Sequence, residues 1–138
     1  MRPVFADTAF WLAFFDHNDP LHGEASDALK AVKGRPLVTT DLVLCEFLDA
    51  LSRYGGHVRQ SAIRASRGIL TNPRSTCVPS DRDLLLAAMT LYEQRPDKTY
   101  GVTDCVSMVV MRQQGLTEIL SSDRHFAQEG FRVLLPIA

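Results

Sequence analysis

Apolar residues along the chain fall into short continuous runs that alternate with longer stretches of helical spacing. The short runs at 3–6, 36–39, 76–78, 118–120 and 132–135 predict five β-strands. Between them, Asp7 and Thr8 offer an N-cap for a helix through residue 15. Leu21, Ala25, Ala28, Leu29 and Val32 lie on one helical face, and Gly34 stands as the stop after 21–33. A strongly apolar helix is predicted over 41–54, ended by Gly55 and Gly56, and a second over 57–70. Further helices are predicted at 80–93, capped by Ser80 with Asp83 three residues on, at 102–114 before Gly115, and at 123–128 before Gly130. Strands that alternate with helices, without hairpin signals such as Asn-Gly, predict an α/β fold with a parallel sheet covered on both faces.

Composition narrows this modestly. A chain of 138 residues, 46% hydrophobic and 22% charged, fits one globular domain over 1–138, large enough to bury a core without disulfides. No apolar run reaches the 18 or more residues that span a bilayer, and Asp7 interrupts the N-terminus too early for a signal-peptide core. A cytoplasmic protein with no membrane partner is expected. Cys45, Cys77 and Cys105 are odd in number, lack C-x-x-C spacing and sit in apolar runs, so buried reduced thiols are expected rather than ligands or disulfides.

The net charge of −1 is uninformative, but its distribution is not. No Asp or Glu occurs between Ala50 and Ser80, where Arg53, Arg59, Arg64, Arg67 and Arg74 all fall. Such a segment suits a polyanion track, and equally a solvated helix face.

The candidate chemistry lies in four acids. Asp7 follows the first strand, Asp123 follows the fourth, Asp104 opens the helix after Val102 and Thr103, and Glu46 sits between Cys45 and Phe47. Each Asp alone reads as a helix cap. Glu46, in so apolar a helix, needs a partner, with Arg53 one alternative to a site. In a parallel sheet every strand ends at the same edge, so these acids converge. Two carboxylates ~4 Å apart repel by several kcal/mol at an effective dielectric near 20, which a cation relieves. Hard oxygen donors suit Mg²⁺ or Mn²⁺, one ion or two, and the chemistry that follows is phosphodiester hydrolysis.

Four segments carry a family likeness: Val4-Phe-Ala-Asp-Thr-Ala-Phe10, Leu42-Val-Leu-Cys-Glu-Phe-Leu48, Val102-Thr-Asp-Cys-Val-Ser-Met108 and Leu120-Ser-Ser-Asp-Arg-His-Phe126. Almost end to end, the chain resembles PIN-domain ribonucleases and, within them, VapC-type toxins. The resemblance implies a three-layer α/β/α sandwich with a mostly parallel four- to five-stranded sheet. It implies an Mg²⁺ or Mn²⁺ site on Asp7, Glu46, Asp104 and Asp123 that cleaves RNA. It places supporting hydroxyls at Thr8, Thr103 and Ser107, although a helix-surface role for Ser107 is as good a reading. It further implies a homodimer and a cognate antitoxin, hence the toxin of a type II toxin–antitoxin pair.

Among other residues, His125 can donate to phosphate or simply pack near its helix start. His17, His22 and His57 read as surface residues near turns. Phe10, Trp11, Phe14 and Phe15 read as core or dimer contacts. A receiver-like phosphoacceptor domain would need a Lys after a late strand, and the only lysines are Lys30, Lys33 and Lys98. A dehalogenase-like phosphatase would want Asp-x-Asp, but Ala9 stands two beyond Asp7. A non-catalytic RNA-binding PIN-like domain is the remaining alternative, one expected to have lost acids that this chain keeps.

Overall fold

In the computed structural model, which describes residues 1–137, five strands form one sheet whose every neighbouring pair is parallel. The strands are β1 (Val4–Ala6), β2 (Leu37–Thr40), β3 (Ser75–Val78), β4 (Glu118–Leu120) and β5 (Arg132–Val133), in the order β3-β2-β1-β4-β5. The helices are α1 (Thr8–Phe15), α2 (His22–Ala31), α3 (Asp41–Leu51), α4 (Gly56–Thr71), α5 (Arg82–Gln94), α6 (Val102–Gln113) and α7 (Arg124–Gln128). None is long and apolar enough to cross a membrane.

The strand order fixes the layers. From β1 the chain steps outward to β2 and β3, then returns past β1 to β4 and β5. Right-handed crossovers put the helices of these two directions on opposite faces. The contacts agree: α1 packs against α2 and α3, and α3 against α4, while α5, α6 and α7 form a second group. Central β1 is fully buried through Val4, Phe5 and Ala6, whereas edge strand β3 has no buried residue. Phe10 and Phe47 from one helical layer and Met108, Met111 and Phe126 from the other pack in the same core.

Helix ends follow local chemistry, with one correction. The cap of α5 is Asp81, whose carboxylate accepts from Leu84 N at 2.8 Å, and not Ser80. Ser80 is drawn instead to Asp41, donating through its backbone N at 2.9 Å and its Oγ at 2.8 Å. Two adjacent residues can cap this helix, and the tie to α3 decides between them. Glycines supply the stops: Gly34, Gly55, Gly115 and Gly130 all have positive φ. The cysteines depart from the expected burial, since only Cys105 is buried, Cys77 is half-buried and Cys45 is exposed. Alternate faces of α3 explain Cys45: Val43, Leu44 and Phe47 take the inner side. Phe10 and Trp11 are core residues, while Phe14 is partly exposed. His22 is half-buried, its Nδ1 2.9 Å from the Ala13 carbonyl.

Candidate metal centre

The strand order reverses between β1 and β4, and ligands of open parallel sheets bind outside the strand ends at such a point. Asp7 leaves β1 there, its N–H donating to the Leu120 carbonyl at the end of β4. Although Asp7 stands at the N-cap position of α1, its side chain makes no capping hydrogen bond. One oxygen, Oδ2, accepts from Ser121 Oγ at 3.1 Å. The other, Oδ1, is buried with no partner. Burial first, and then the charge of Asp104, push this carboxyl up to about 7; Glu46 adds to the rise. A carboxylate would rather find a cation than stay orphaned in such a place.

The remaining acids arrive from three elements. Glu46, on the second turn of α3, is exposed and accepts from Thr8 Oγ1 at 2.6 Å, so its partner comes from α1 and not from Arg53. Asp104, in the first turn of α6, is mostly buried and accepts from Gly101 N at 3.1 Å. Its carboxyl is raised by burial and by Asp123, against the Gly101 and His125 donors. Asp123 caps α7 by accepting from His125 N at 2.9 Å. Its own N–H donates to Ser121 Oγ at 3.0 Å, so one hydroxyl binds both Asp7 and the Asp123 loop.

His125 joins this cluster closely. Its Nδ1 lies 3.2 Å from Asp104 Oδ2 and 3.3 Å from Asp123 Oδ1, and its Nε2 lies 3.0 Å from Thr99 Oγ1. Behind it, Glu129 collects Arg95, Arg112 at 2.6 Å and the Tyr100 hydroxyl at 3.2 Å. Burial raises the Glu129 carboxyl, but these donors together hold it below the usual range. The cluster anchors the loop 99–101, which presents Thr99 to His125 and Gly101 to Asp104. Sequence reasoning missed Ser121, Thr99 and Glu129. The Ser pair before Asp123 was the visible signal for the first; nothing local marks the other two, whose partners lie 17 to 34 residues away.

Of the supporting hydroxyls, Thr8 reaches Glu46, Thr103 is half-buried beside Asp104, and Ser107 is fully buried with an unpartnered Oγ rather than a surface group. The arginines do not form one group. Arg59, Arg64 and Arg67 line a shallow cleft with Gln60 and Ile63 on α4, and Arg53 is exposed at the end of α3. Arg74 precedes β3, and thus stands at the strand-start edge, opposite the acids. There it borders an apolar cavity of about 810 Å³ lined by Trp11, Phe15, Phe47 and Ile69 among others.

A family model described as PIN domain matches residues 4–131. The chain belongs to the PIN-domain family. VapC20 of Mycobacterium tuberculosis, a toxin that cleaves the sarcin–ricin loop, superposes with a TM-score of 0.86 at 29% identity over 96% of this chain and 99% of that one. The DNA-bound VapBC of Salmonella typhimurium gives a TM-score of 0.68 at 12% identity, over 96% and 97%, and speaks for the fold alone. No curated protein matches in sequence. This PIN domain is VapC-like, with the five-stranded parallel sheet and flanking helices of that fold. A receiver-like reading has no support left.

Proposed function

We propose that this PIN domain is a metal-dependent endoribonuclease and the toxin of a type II toxin–antitoxin pair. The observation that carries the reading is Asp7: a buried carboxylate with one orphaned oxygen, facing further acids at the switch point of the sheet. That donor set fits a hard divalent ion, Mg²⁺ or Mn²⁺, held by Asp7, Glu46, Asp104 and Asp123. Such an ion, when bound, activates water and offsets the charge developing on a phosphodiester.

The chain's own residues do the positioning. Ser121 holds Asp7 from one side and the Asp123 backbone from the other, so one hydroxyl ties the two acids together. Thr8 orients Glu46, and the Gly101 N–H fixes one oxygen of Asp104. Glu46 is the exposed member of the set, open to solvent. It is therefore suited to take the proton from an attacking water. An antitoxin partner is supported by the likeness to VapC toxins.

The test pairs cleavage with growth. Purified protein should cut bacterial RNA or a sarcin–ricin-type stem-loop with Mg²⁺ or Mn²⁺ and stop with EDTA, and Asp104→Asn should lose at least a hundredfold in rate. Induced expression should arrest bacterial growth, Asp104→Asn should not, and co-expressing the adjacent gene's product should restore it. Cleavage that survives both EDTA and the substitution would remove this reading.

A further inference from the structure

We infer that His125 is itself a ligand of the metal, so that the ion is held by an imidazole nitrogen as well as by carboxylate oxygens. The inference rests on the metal-site reading above but goes beyond its four acids. Donor atoms of Asp104, Asp123 and His125 all lie within 4.8 Å of one another. Adjacent ligands of an octahedral ion with bonds near 2.1 Å stand about 3.0 Å apart. Nδ1 of His125 is 3.2 Å from one carboxylate oxygen and 3.3 Å from the other, close to two such edges. Asp7 supplies the independent sign of a cation, since its Oδ1 is buried without a partner and the charge of Asp104 bears on the same carboxyl.

The surroundings suit a ligating imidazole. A metal-bound histidine donates its other ring N–H to a neighbouring acceptor, which fixes tautomer and ring angle. Here Nε2 lies 3.0 Å from Thr99 Oγ1, and the tautomer that donates to this hydroxyl leaves the Nδ1 lone pair for the ion. The ring is further held against Tyr100, with centroids 5.2 Å apart, and Tyr100 is tied to Glu129. An imidazole nitrogen shifts preference from Mg²⁺ toward Mn²⁺.

The test reads the ligand directly. EDTA-stripped protein is loaded with Mn²⁺ and measured by pulsed electron paramagnetic resonance, beside His125→Asn, with Mn²⁺ and Mg²⁺ affinities titrated for both. Nitrogen hyperfine modulation on bound Mn²⁺ in the wild type is expected, with its loss in the variant. Mn²⁺ affinity should fall on the order of tenfold and Mg²⁺ affinity less. Bound Mn²⁺ with oxygen ligands alone, or modulation that persists in His125→Asn, would overturn the inference while leaving the nuclease reading standing. Protein that binds no Mn²⁺ would overturn both.

Discussion

Asp7 concentrates the energetics of the site in one side chain. Its carboxyl rises from 3.8 to about 7 because charging it means stranding a buried oxygen beside Asp104 and Glu46. A folded-state value above the unfolded one means the native protein binds the proton more tightly. The stability this provides is therefore full below about pH 4 and is lost as the pH climbs through 7. A rise of this size corresponds to about 4 kcal/mol. In EDTA, Asp7→Asn should melt higher than the wild type at pH 8, and the gap should close toward pH 4. Thermal melts at the two pH values check this, and a gap of equal size at both would show that charge is not the cause. Bound metal should invert the order at pH 8, since the wild type alone regains a partner for Oδ1.

At the scale of elements, α5 has a face that the molecule leaves uncovered. Leu85, Leu86, Met89 and Tyr92 are 42 to 53% exposed on this one helix. Arg82 opens it and Glu93 nearly closes it, and neither has an ion-pair partner among the described residues. Two copies of α5 packed antiparallel about Leu86 and Met89 would bury the apolar stripe and set Arg82 opposite Glu93 of the second copy, the self-complementary pattern of a twofold interface. A homodimer through α5 is the expected outcome, with Leu86→Glu monomeric by light scattering; a variant that stays dimeric would place the interface elsewhere. The elements themselves were legible because periodicity and glycine stops agree: all five strands and seven helices fall where expected, within a few residues at each end. What escaped was long-range choice. Ser80 and Asp81 compete for one cap, and only the contact with Asp41, 39 residues away, selects the second. Asp7 and Asp123 were legible as strand-end residues of a parallel sheet, and Thr8 as a hydroxyl beside the site, but the other hydrogen-bonded supports were not. Ser121 reaches across 114 residues to Asp7, and no local pattern encodes that pairing.

Across the whole molecule, the parallel sheet gives the protein two unlike edges, and this bears on how RNA would lie. Every strand ends at the acidic edge, so Asp7 and Asp123 meet there however far apart they are in the chain, and the start of α6 brings Asp104 to them. Arg74, read in the sequence as part of one basic segment with Arg53, Arg59, Arg64 and Arg67, starts a strand and so belongs to the other edge. On α4, by contrast, Arg59, Arg64 and Arg67 share one cleft, and none has a carboxylate within ion-pair distance among the described residues. Guanidinium groups without ion pairs around one cleft make these three the expected phosphate-binding part of the segment. Binding measured in the inactive Asp104→Asn background separates these positions from chemistry. Replacing Arg59, Arg64 and Arg67 together by Ala should weaken single-stranded RNA binding and flatten the dependence of log K on log salt, by about 0.7 for each phosphate contact removed. Arg74→Ala should leave that slope unchanged. An equal flattening by Arg74→Ala would mean that RNA wraps past the strand-start edge, and the assignment of the track to α4 would fall.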